Sequence, residues 1–303
     1  MDIILPGGHT GDMARIVGMD EVGYGPLLGP FIVCAVTAEV PSLEANLWET
    51  LSPKEIPVCD SKKLYSTSKG LKSLEPSALS WYGQLYPLEG LTHERLWKTL
   101  SPDPREEAWY GNIPLPVSQK RPILVDELKA LLETANVRIT DIRARILEPS
   151  IYNEKVGTNK SDLLFTCTAD LVRHAFKKEN RPTTFHIGKQ GGRRYYLPQI
   201  TQQLGEAKII REEAAWSEYT LGESSLCYLR DGEDISFFIA LASIIAKYLR
   251  ETSMQLFNRY WEEKVENLRP TAGYGNDAKR FWKEISPRMG ELKLTEKEIL
   301  RSR

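Results

Sequence analysis

The chain has 303 residues, more than a usual single domain but fewer than two full domains need, which predicts one domain carrying an insertion. Its 40 basic and 41 acidic residues give a formal net charge of −1, so any site for a polyanion has to be a local cluster. Four scattered cysteines without a C-x-x-C pair, and four histidines without H-x-x-x-H spacing, argue against a disulfide framework and a zinc site.

The sequence carries no pattern typical of secretion or of membrane insertion. Its first residues show no basic region followed by an apolar one, and no uninterrupted apolar run approaches the length of a membrane-spanning helix. We therefore expect a soluble protein of the reducing cytoplasm, without a membrane partner.

The first half of the chain predicts strands, an insertion and a helix. Residues 15–19 (RIVGM) and 30–38 (PFIVCAVTA) have the composition of two strands joined by a glycine- and proline-rich turn. Residues 81–116 are rich in Trp, Tyr, Pro and Gly, which breaks regular elements and indicates an insertion. Residues 126–135 then have helical spacing, and 137–147 alternate as a half-buried strand does.

The second half predicts two long helices separated by a strand. Asn159 is placed to cap a helix over residues 160–178, and residues 183–187 (TTFHI) indicate a strand that ends at Gly188. Residues 235–263 lack Pro and Gly and are strongly apolar, which predicts a long central helix. The order of elements predicts an α/β fold, a mixed β-sheet flanked by helices.

Three acidic residues are candidates for chemistry. Asp20 and Glu21 come at the end of the first strand. Neighbouring side chains of a strand point to opposite faces, so the two carboxylates cannot both aim at one spot. The second acid can still bind a metal through its backbone carbonyl or across the turn. A solvated turn is the alternative interpretation. Glu251, in the central helix, is either an ion-pair partner of Lys247 and Arg250 or a metal ligand.

The glycines after the acids do not form a dinucleotide-binding motif. Gly23, Gly25 and Gly29 have the wrong spacing, Pro26 interrupts them, and the next element is a strand. No P-loop or G-x-S-x-G elbow is present, so nucleotide hydrolysis and serine esterase chemistry have no motif behind them. The glycines are expected to let the backbone approach a ligand closely.

Two segments combine positive charge with features that suit nucleic acid. Residues 60–63 (DSKK) present Lys62 and Lys63, and residues 189–196 (KQGGRRYY) join cations, glycines and aromatic rings directly after a strand. Such segments suit phosphates and stacked sugars or bases, and a solvated charged loop is the alternative.

Four segments, in the same chain order, resemble the type 2 ribonuclease H family, ribonucleases HII and HIII. They are GMDEVGYGPLLGP at residues 18–30, CDSKKL at 59–64, LASIIAKYLRE at 241–251 and TAGYGNDAKRFW at 271–282. The resemblance implies a ribonuclease H-like domain over residues 14–288, interrupted by the insertion at about 81–116 and followed by a tail at 289–303.

The resemblance also implies an activity and a set of site residues. It implies an endonuclease that cuts the RNA strand of RNA/DNA hybrids, or at a ribonucleotide within duplex DNA, using two Mg²⁺ or Mn²⁺ ions held by carboxylates. We also expect the protein to be a monomer. Asp20, Glu21 and Glu251 match three of the four family acids, as catalytic residues and metal ligands. The candidate nucleic-acid contacts are Gly23, Tyr24, Gly25, Lys62, Lys63, Lys189, Arg193, Arg194 and Tyr274.

The chain departs from the family at two positions. Gly188 stands where the family has its third acid, and Lys189 beside it adds positive charge where a cation is wanted. Tyr24 stands where ribonuclease HII carries the Arg of its G-R-G motif, which puts strict recognition of a single ribonucleotide in doubt. Backbone amides at Gly23 and Gly25 are still able to contact a 2′-hydroxyl.

Three hypotheses for the function remain open. The first is an active nuclease in which Asp231, Glu233 or Asp234 replaces the missing acid. The second is a binding module that grips the hybrid through its cations without cutting it, which Gly188 favours. The third is a protein that serves only protein contacts through its aromatic insertion.

Overall fold

The computed structural model describes residues 13–66, 68–118, 121–157 and 159–302. Residues 1–12, part of the segment without a secretion pattern, lie outside this range. The strands are β1 (Ala14–Val22), β2 (Phe31–Val40), β3 (Arg138–Leu147), β4 (Thr184–Gly188), β5 (Lys208–Glu212), β6 (Trp216–Leu221) and β7 (Ser224–Leu229). The helices are α1 (Leu47–Leu51), α2 (Ser61–Leu64), α3 (Leu74–Tyr82), α4 (His93–Leu100), α5 (Val125–Thr134), α6 (Pro149–Lys155), α7 (Lys160–Lys178), α8 (Leu197–Gln203), α9 (Gly232–Ile235), α10 (Phe237–Glu262), α11 (Gly275–Ile285) and α12 (Glu296–Ile299).

The strands form one mixed sheet in the order β3-β2-β1-β4-β7-β6-β5. β1 is antiparallel to β2 and parallel to β4, and β4 is in turn parallel to β7. Helices cover both faces of the sheet, so the predicted α/β fold with a mixed sheet flanked by helices is confirmed. Since β1 and β4 run in the same direction side by side, the residues at their carboxyl ends meet at one edge.

Alternation along β1 divides the core between the two faces of the sheet. Ile16 packs into the apolar cluster that includes α10, whereas Val17 and Met19 pack into the cluster that includes α7. All ten residues of β2 are buried, as expected for a central strand covered on both faces. Two helical layers therefore hold the end of β1 in a fixed position.

Several predicted elements are found close to their expected limits. The helix predicted at 160–178 is α7, and the Asn159 side chain accepts a hydrogen bond of 2.9 Å from the Ser161 amide, as a capping residue does. The predicted central helix is α10, which begins at Phe237 because the short helix α9 precedes it. No helix in the described part of the chain combines the length and the apolar character needed to cross a membrane.

The insertion is more regular and more buried than its composition predicts. It contains the helix α4, and its tryptophans Trp81, Trp97 and Trp109 are at most 3% exposed. Asp103 anchors it to β3, because its carboxylate binds the Arg145 guanidinium at 2.9 Å and the Ile146 amide at 2.8 Å. The aromatic side chains thus form core, which removes the observation behind the hypothesis of a protein-contact surface.

Two further segments were not predicted as parts of the sheet or core. Residues 208–229 form the antiparallel strands β5, β6 and β7, whose short sequences mix apolar and polar residues. Residues 289–302 pack back on the domain, where Met289 and Ile299 join the apolar cluster around Phe281. The boundary at 288 and 289 stays a prediction.

Gly18 is where β1 and α10 approach most closely. A Cβ at this position would lie 2.1 Å from the backbone carbonyl carbon of Phe238, so one element would have to move. We expect Gly18→Ala to lower the free energy of unfolding by about 1–3 kcal/mol, the usual effect of overpacking. Urea denaturation measures this, with Gly290→Ala as the control because the space around Gly290 is open. Equal stability of the two variants would contradict the close packing described here.

Candidate functional site

A cleft of about 350 Å³ opens where β1 and β4 end. Its walls come from β1, α2, the end of β4, α9 after β7, and the first half of α10. The residues that matter for its chemistry are Asp20, Glu21, Lys62, Gly188, Glu233 and Lys247. Acids and cations therefore share one cleft, at the edge of the sheet where the parallel strands end.

Asp20 is the most deeply placed of the acids that line the cleft, with 9% of its surface exposed. Burial, together with the nearby charge of Glu233, raises the pKa of Asp20 to about 7, although a hydrogen bond from Ser243 and the charge of Lys62 act in the opposite direction. Desolvation penalises the charged form of a carboxyl group, and like charges add to that penalty. A cation in the cleft would relieve both effects.

Glu21 shares this environment. Burial raises the pKa of Glu21 well above its usual value, and the charges of Asp20 and Glu233 raise it further. Both members of the Asp-Glu pair line the cleft, because it opens around the end of β1 and is not confined to one face of the sheet.

Gly188 lies directly beside Asp20. Met19 of β1 pairs with Ile187 of β4, so the next residues of the two strands are neighbours at the edge of the sheet. A Cβ built on Gly188 would lie 2.7 Å from Oδ1 of Asp20. A side chain at position 188 would therefore enter the cleft, and the chain has no carboxylate there.

Among the three acids considered as replacements, only Glu233 combines burial with a place in the acidic cluster. The Asp231 side chain is 79% exposed and lies 3.7 Å from Arg230, and the Asp234 side chain is 63% exposed and binds Lys63 at 3.0 Å. The Glu233 side chain is 18% exposed, with Oε1 at 3.8 Å from Nζ of Lys62. Its charge acts on both Asp20 and Glu21.

Glu251 is bound by two cations. Its Oε1 accepts a hydrogen bond of 2.6 Å from Lys247 and one of 3.2 Å from Arg250, so it forms the ion pairs considered from the sequence. It does not line the cleft, whereas Lys247 does. No group of three or more His, Cys, Asp or Glu side chains in the described residues is arranged as a ready metal site.

Lys62 is the lysine best placed to meet a polyanion at the cleft. Its side chain is 80% exposed and lies 3.8 Å from both Asp60 and Glu233. Lys63 is engaged by Asp234, outside the cleft. Lys189 lines the cleft, but its Nζ donates to the Glu213 carbonyl at 2.7 Å and to the Ser217 hydroxyl at 3.1 Å. Thus Lys62, not Lys189, is the cation that affects the pKa of Asp20.

The remaining candidate nucleic-acid contacts differ in how exposed their side chains are. Arg193 is paired with Asp162 and its side chain is only 12% exposed, whereas Arg194 is exposed. Tyr274 lines the cleft and is 43% exposed, which suits a stacking surface.

The glycines and Tyr24 lie at the edge of the cleft. Gly23 lines it in a left-handed conformation, with φ +88°, and Gly25 is exposed with open space around its Cα. The Tyr24 ring lies 4.8 Å from Nζ of Lys160. Gly23 is buried at the wall of the cleft, and Gly25, just beyond it, has exposed backbone.

Two residues of the cleft were not predicted as site residues, although Lys247 was considered as a partner of Glu251. Ser243 and Lys247 precede Glu251 by eight and four residues, and residues four apart on a helix share a face. The Ser243 hydroxyl lies 3.0 Å from that of Ser61, which joins α10 to α2. The segment LASIIAKYLRE thus brings the Ser243 hydroxyl and the Lys247 ammonium group to the cleft, on the turns of α10 that precede Glu251.

Comparison with solved structures shows the fold. A point mutant of Bst ribonuclease HIII matches with TM-score 0.51 and 16% identity, covering 96% of this chain and 66% of that one. Bst ribonuclease HIII in complex with Mn²⁺ matches with TM-score 0.50 and 16% identity, covering 97% and 67%. Ribonuclease H2 from Pyrococcus horikoshii OT3 covers 94% and 92% at 12% identity, with TM-score 0.46.

The chain therefore has the fold of the type 2 ribonucleases H, and the resemblance inferred from its four motifs is confirmed at the level of the fold. It spans about two thirds of the length of the ribonuclease HIII chains. No family model and no curated protein matches the chain in sequence.

Proposed function

We propose that this chain is a divergent type 2 ribonuclease H, a metal-dependent endoribonuclease that cuts the RNA strand of RNA/DNA hybrids. The observation that carries the proposal is the grouping of Asp20, Glu21 and Glu233 around one cleft at the carboxyl ends of β1 and β4. Clustered acids with raised pKa values are typical of functional sites, because folding gains nothing from their repulsion. A monomeric cytoplasmic protein remains the expectation from the sequence.

The residues present fit a divalent cation. Mg²⁺ binds carboxylate oxygens and commonly uses one or two carboxylates, completing its shell with water and substrate phosphates, so a closed set of three acids is not required. We propose Asp20, Glu21 and Glu233 as the residues that would hold Mg²⁺ or Mn²⁺. The metal would supply activation of the attacking water and charge stabilisation of the leaving oxygen.

The other residues would bind and orient the hybrid. Lys62 and Arg194 offer exposed positive charge for phosphates, and Tyr274 offers a ring for a sugar or base. The backbone at Gly23 and Gly25 would approach the 2′-hydroxyl that distinguishes RNA from DNA.

Glu251 remains a predicted ligand in this proposal. In the present arrangement Lys247 and Arg250 neutralise it, so a cation in the cleft would have to compete with Lys247 for its carboxylate.

Hybrid binding without cleavage is the second candidate function. It is favoured by the glycine at position 188 and by the pairing of Glu251 with two cations, since both leave the cleft with fewer free carboxylates. The same cations and glycines would bind the hybrid in either case.

Incubation of the purified chain with a labelled RNA/DNA hybrid and Mg²⁺ or Mn²⁺ tests the proposal. We expect cutting of the RNA strand, abolished by chelation of the metal and by Glu21→Gln, with a DNA duplex of the same sequence left intact. If the chain binds the hybrid but leaves it intact with either metal, the binding function is correct. Cutting by the Gly188→Asp variant but not by the unmodified chain would also support the binding function.

A further inference from the structure

Residues 295–302, here called the return segment, run back to the loop of residues 23–29 that follows the acids of β1. We call that loop the glycine loop. Leu300 forms a β-bridge with Leu28, and the Arg301 amide donates to the Leu27 carbonyl at 2.9 Å. Ile299 is fully buried in the same apolar cluster as Leu28. Two segments far apart in sequence are thus joined beside the cleft.

The Arg301 side chain binds the glycine loop directly. It is 4% exposed, and its guanidinium donates to the Gly23 carbonyl at 2.5 Å and also to the Pro26 carbonyl. It lies 5.0 Å from the centre of the Tyr152 ring. Burial lowers the pKa of Arg301 to about 10, so the group still carries its charge at neutral pH. A buried charge is unfavourable unless it is bound by such partners.

The return segment is fixed in its turn by Asn153 of α6. The Asn153 amide group donates to the Leu300 carbonyl at 2.7 Å and to the Lys297 carbonyl at 2.8 Å, and its oxygen accepts from the Ser302 amide at 2.6 Å. Arg301 is therefore presented to the glycine loop by a segment that is hydrogen-bonded on both sides of it.

A second buried arginine holds the far end of the glycine loop. Arg250, which is fully buried, donates to the Leu28 carbonyl at 3.3 Å and to the Ala272 carbonyl at 3.0 Å. The Leu27 amide also donates to the Gly273 carbonyl at 2.8 Å. Arg301 is thus the side chain that fixes the near end, at Gly23, which lines the cleft.

We propose that Arg301 is a positioning residue for nucleic-acid binding. By holding the carbonyls of Gly23 and Pro26 it keeps the glycine loop in one conformation, so that the hybrid meets a preorganised backbone at the edge of the cleft. The inference rests on the proposed function, since the hybrid is the ligand whose binding the loop controls. Arg301 does not line the cleft and takes no part in the bond cleavage.

Two readouts on the full chain test this inference. We expect Arg301→Met to increase hydrogen exchange of the amides at residues 23–29, and to weaken hybrid binding on the order of tenfold, as loss of preorganisation does. In steady-state cleavage KM should rise while kcat stays within about twofold, because the acids are untouched. Arg301→Lys should recover part of the effect, since an ammonium group keeps the charge but lacks the planar fork that bridges two carbonyls.

Arg288→Met is the matched control, because Arg288 is an exposed arginine that pairs with Glu291. Should Arg301→Met fail to fold, Asn153→Ala loosens the return segment while keeping the arginine, and a smaller change in the same direction is expected. If amide hydrogen exchange in the glycine loop of Arg301→Met is unchanged, the inference is overturned. Faster hydrogen exchange with unchanged affinity for the hybrid would also overturn it. Failure of the unmodified chain to bind hybrid would instead overturn the proposed function, and this inference with it.

Discussion

Replacement of Glu233 by Gln is expected to lower the rate of metal-dependent hybrid cleavage about 100-fold or more. Glu233 is the acid that joins Asp20 and Glu21 in the cleft, and its charge affects the pKa of both. Loss of ~3 kcal/mol of charge stabilisation in the transition state corresponds to this reduction in rate. Single-turnover cleavage at several Mg²⁺ concentrations separates weaker metal binding from slower chemistry.

Asp234→Asn is the matched control for that variant. Asp234 is the next residue, but it is exposed and binds Lys63 outside the cleft, so its loss is expected to change the rate little. Equal effects of the two substitutions would show that Glu233 has no special role.

A double variant, Glu233→Gln with Gly188→Asp, extends the test. The Cβ direction of residue 188 points toward Asp20, so a carboxylate introduced there would restore negative charge to the cleft. Since that Cβ would lie only 2.7 Å from Oδ1 of Asp20, the Asp20 side chain has to shift, and partial recovery of cleavage is expected. No recovery, in a variant that folds normally, would mean that charge at position 188 is unable to substitute for Glu233.

Asp20→Asn is expected to abolish cleavage and, at the same time, to stabilise the metal-free protein at pH 8 by about 2–4 kcal/mol. The pKa of Asp20 rises from an ordinary value of 3.8 to about 7 in the folded chain. At a pH between 3.8 and about 7, the folded state therefore keeps a proton that the unfolded state has already released. This contribution to stability is fully present below pH 4 and is lost as the pH rises through about 7.

Urea unfolding between pH 4 and 8, with and without Mg²⁺, measures this effect. The variant should be more stable than the unmodified chain at pH 8 and nearly equal to it at pH 4, and Mg²⁺ should stabilise only the unmodified chain at pH 8. Asp126→Asn, at an exposed position outside the cleft, is the control and should leave the pH dependence unchanged. An Asp20→Asn variant with the same pH dependence as the unmodified chain would contradict the raised pKa.

Local patterns predicted much of the fold because they depend on neighbouring residues. The Asn159 cap and the uninterrupted apolar run at 235–263 predicted α7 and α10, since capping and helical burial are properties of adjacent turns. The insertion at 81–116 was harder to predict because its prolines and glycines suggested irregular chain. Its tryptophans are buried by β3 and α10, contacts that composition alone does not reveal.

The amino-acid sequence by itself determined the kind of fold, the acids Asp20 and Glu21 at the end of a strand, and the absence of a carboxylate at Gly188. Only the tertiary structure decided how these features combine. The parallel pairing of β1 with β4 places Gly188 against Asp20, and the turn after β7 brings Glu233 toward the acids. The roles of these acids remain predictions, but their grouping depends on strand pairing between distant segments, which neighbouring residues do not encode.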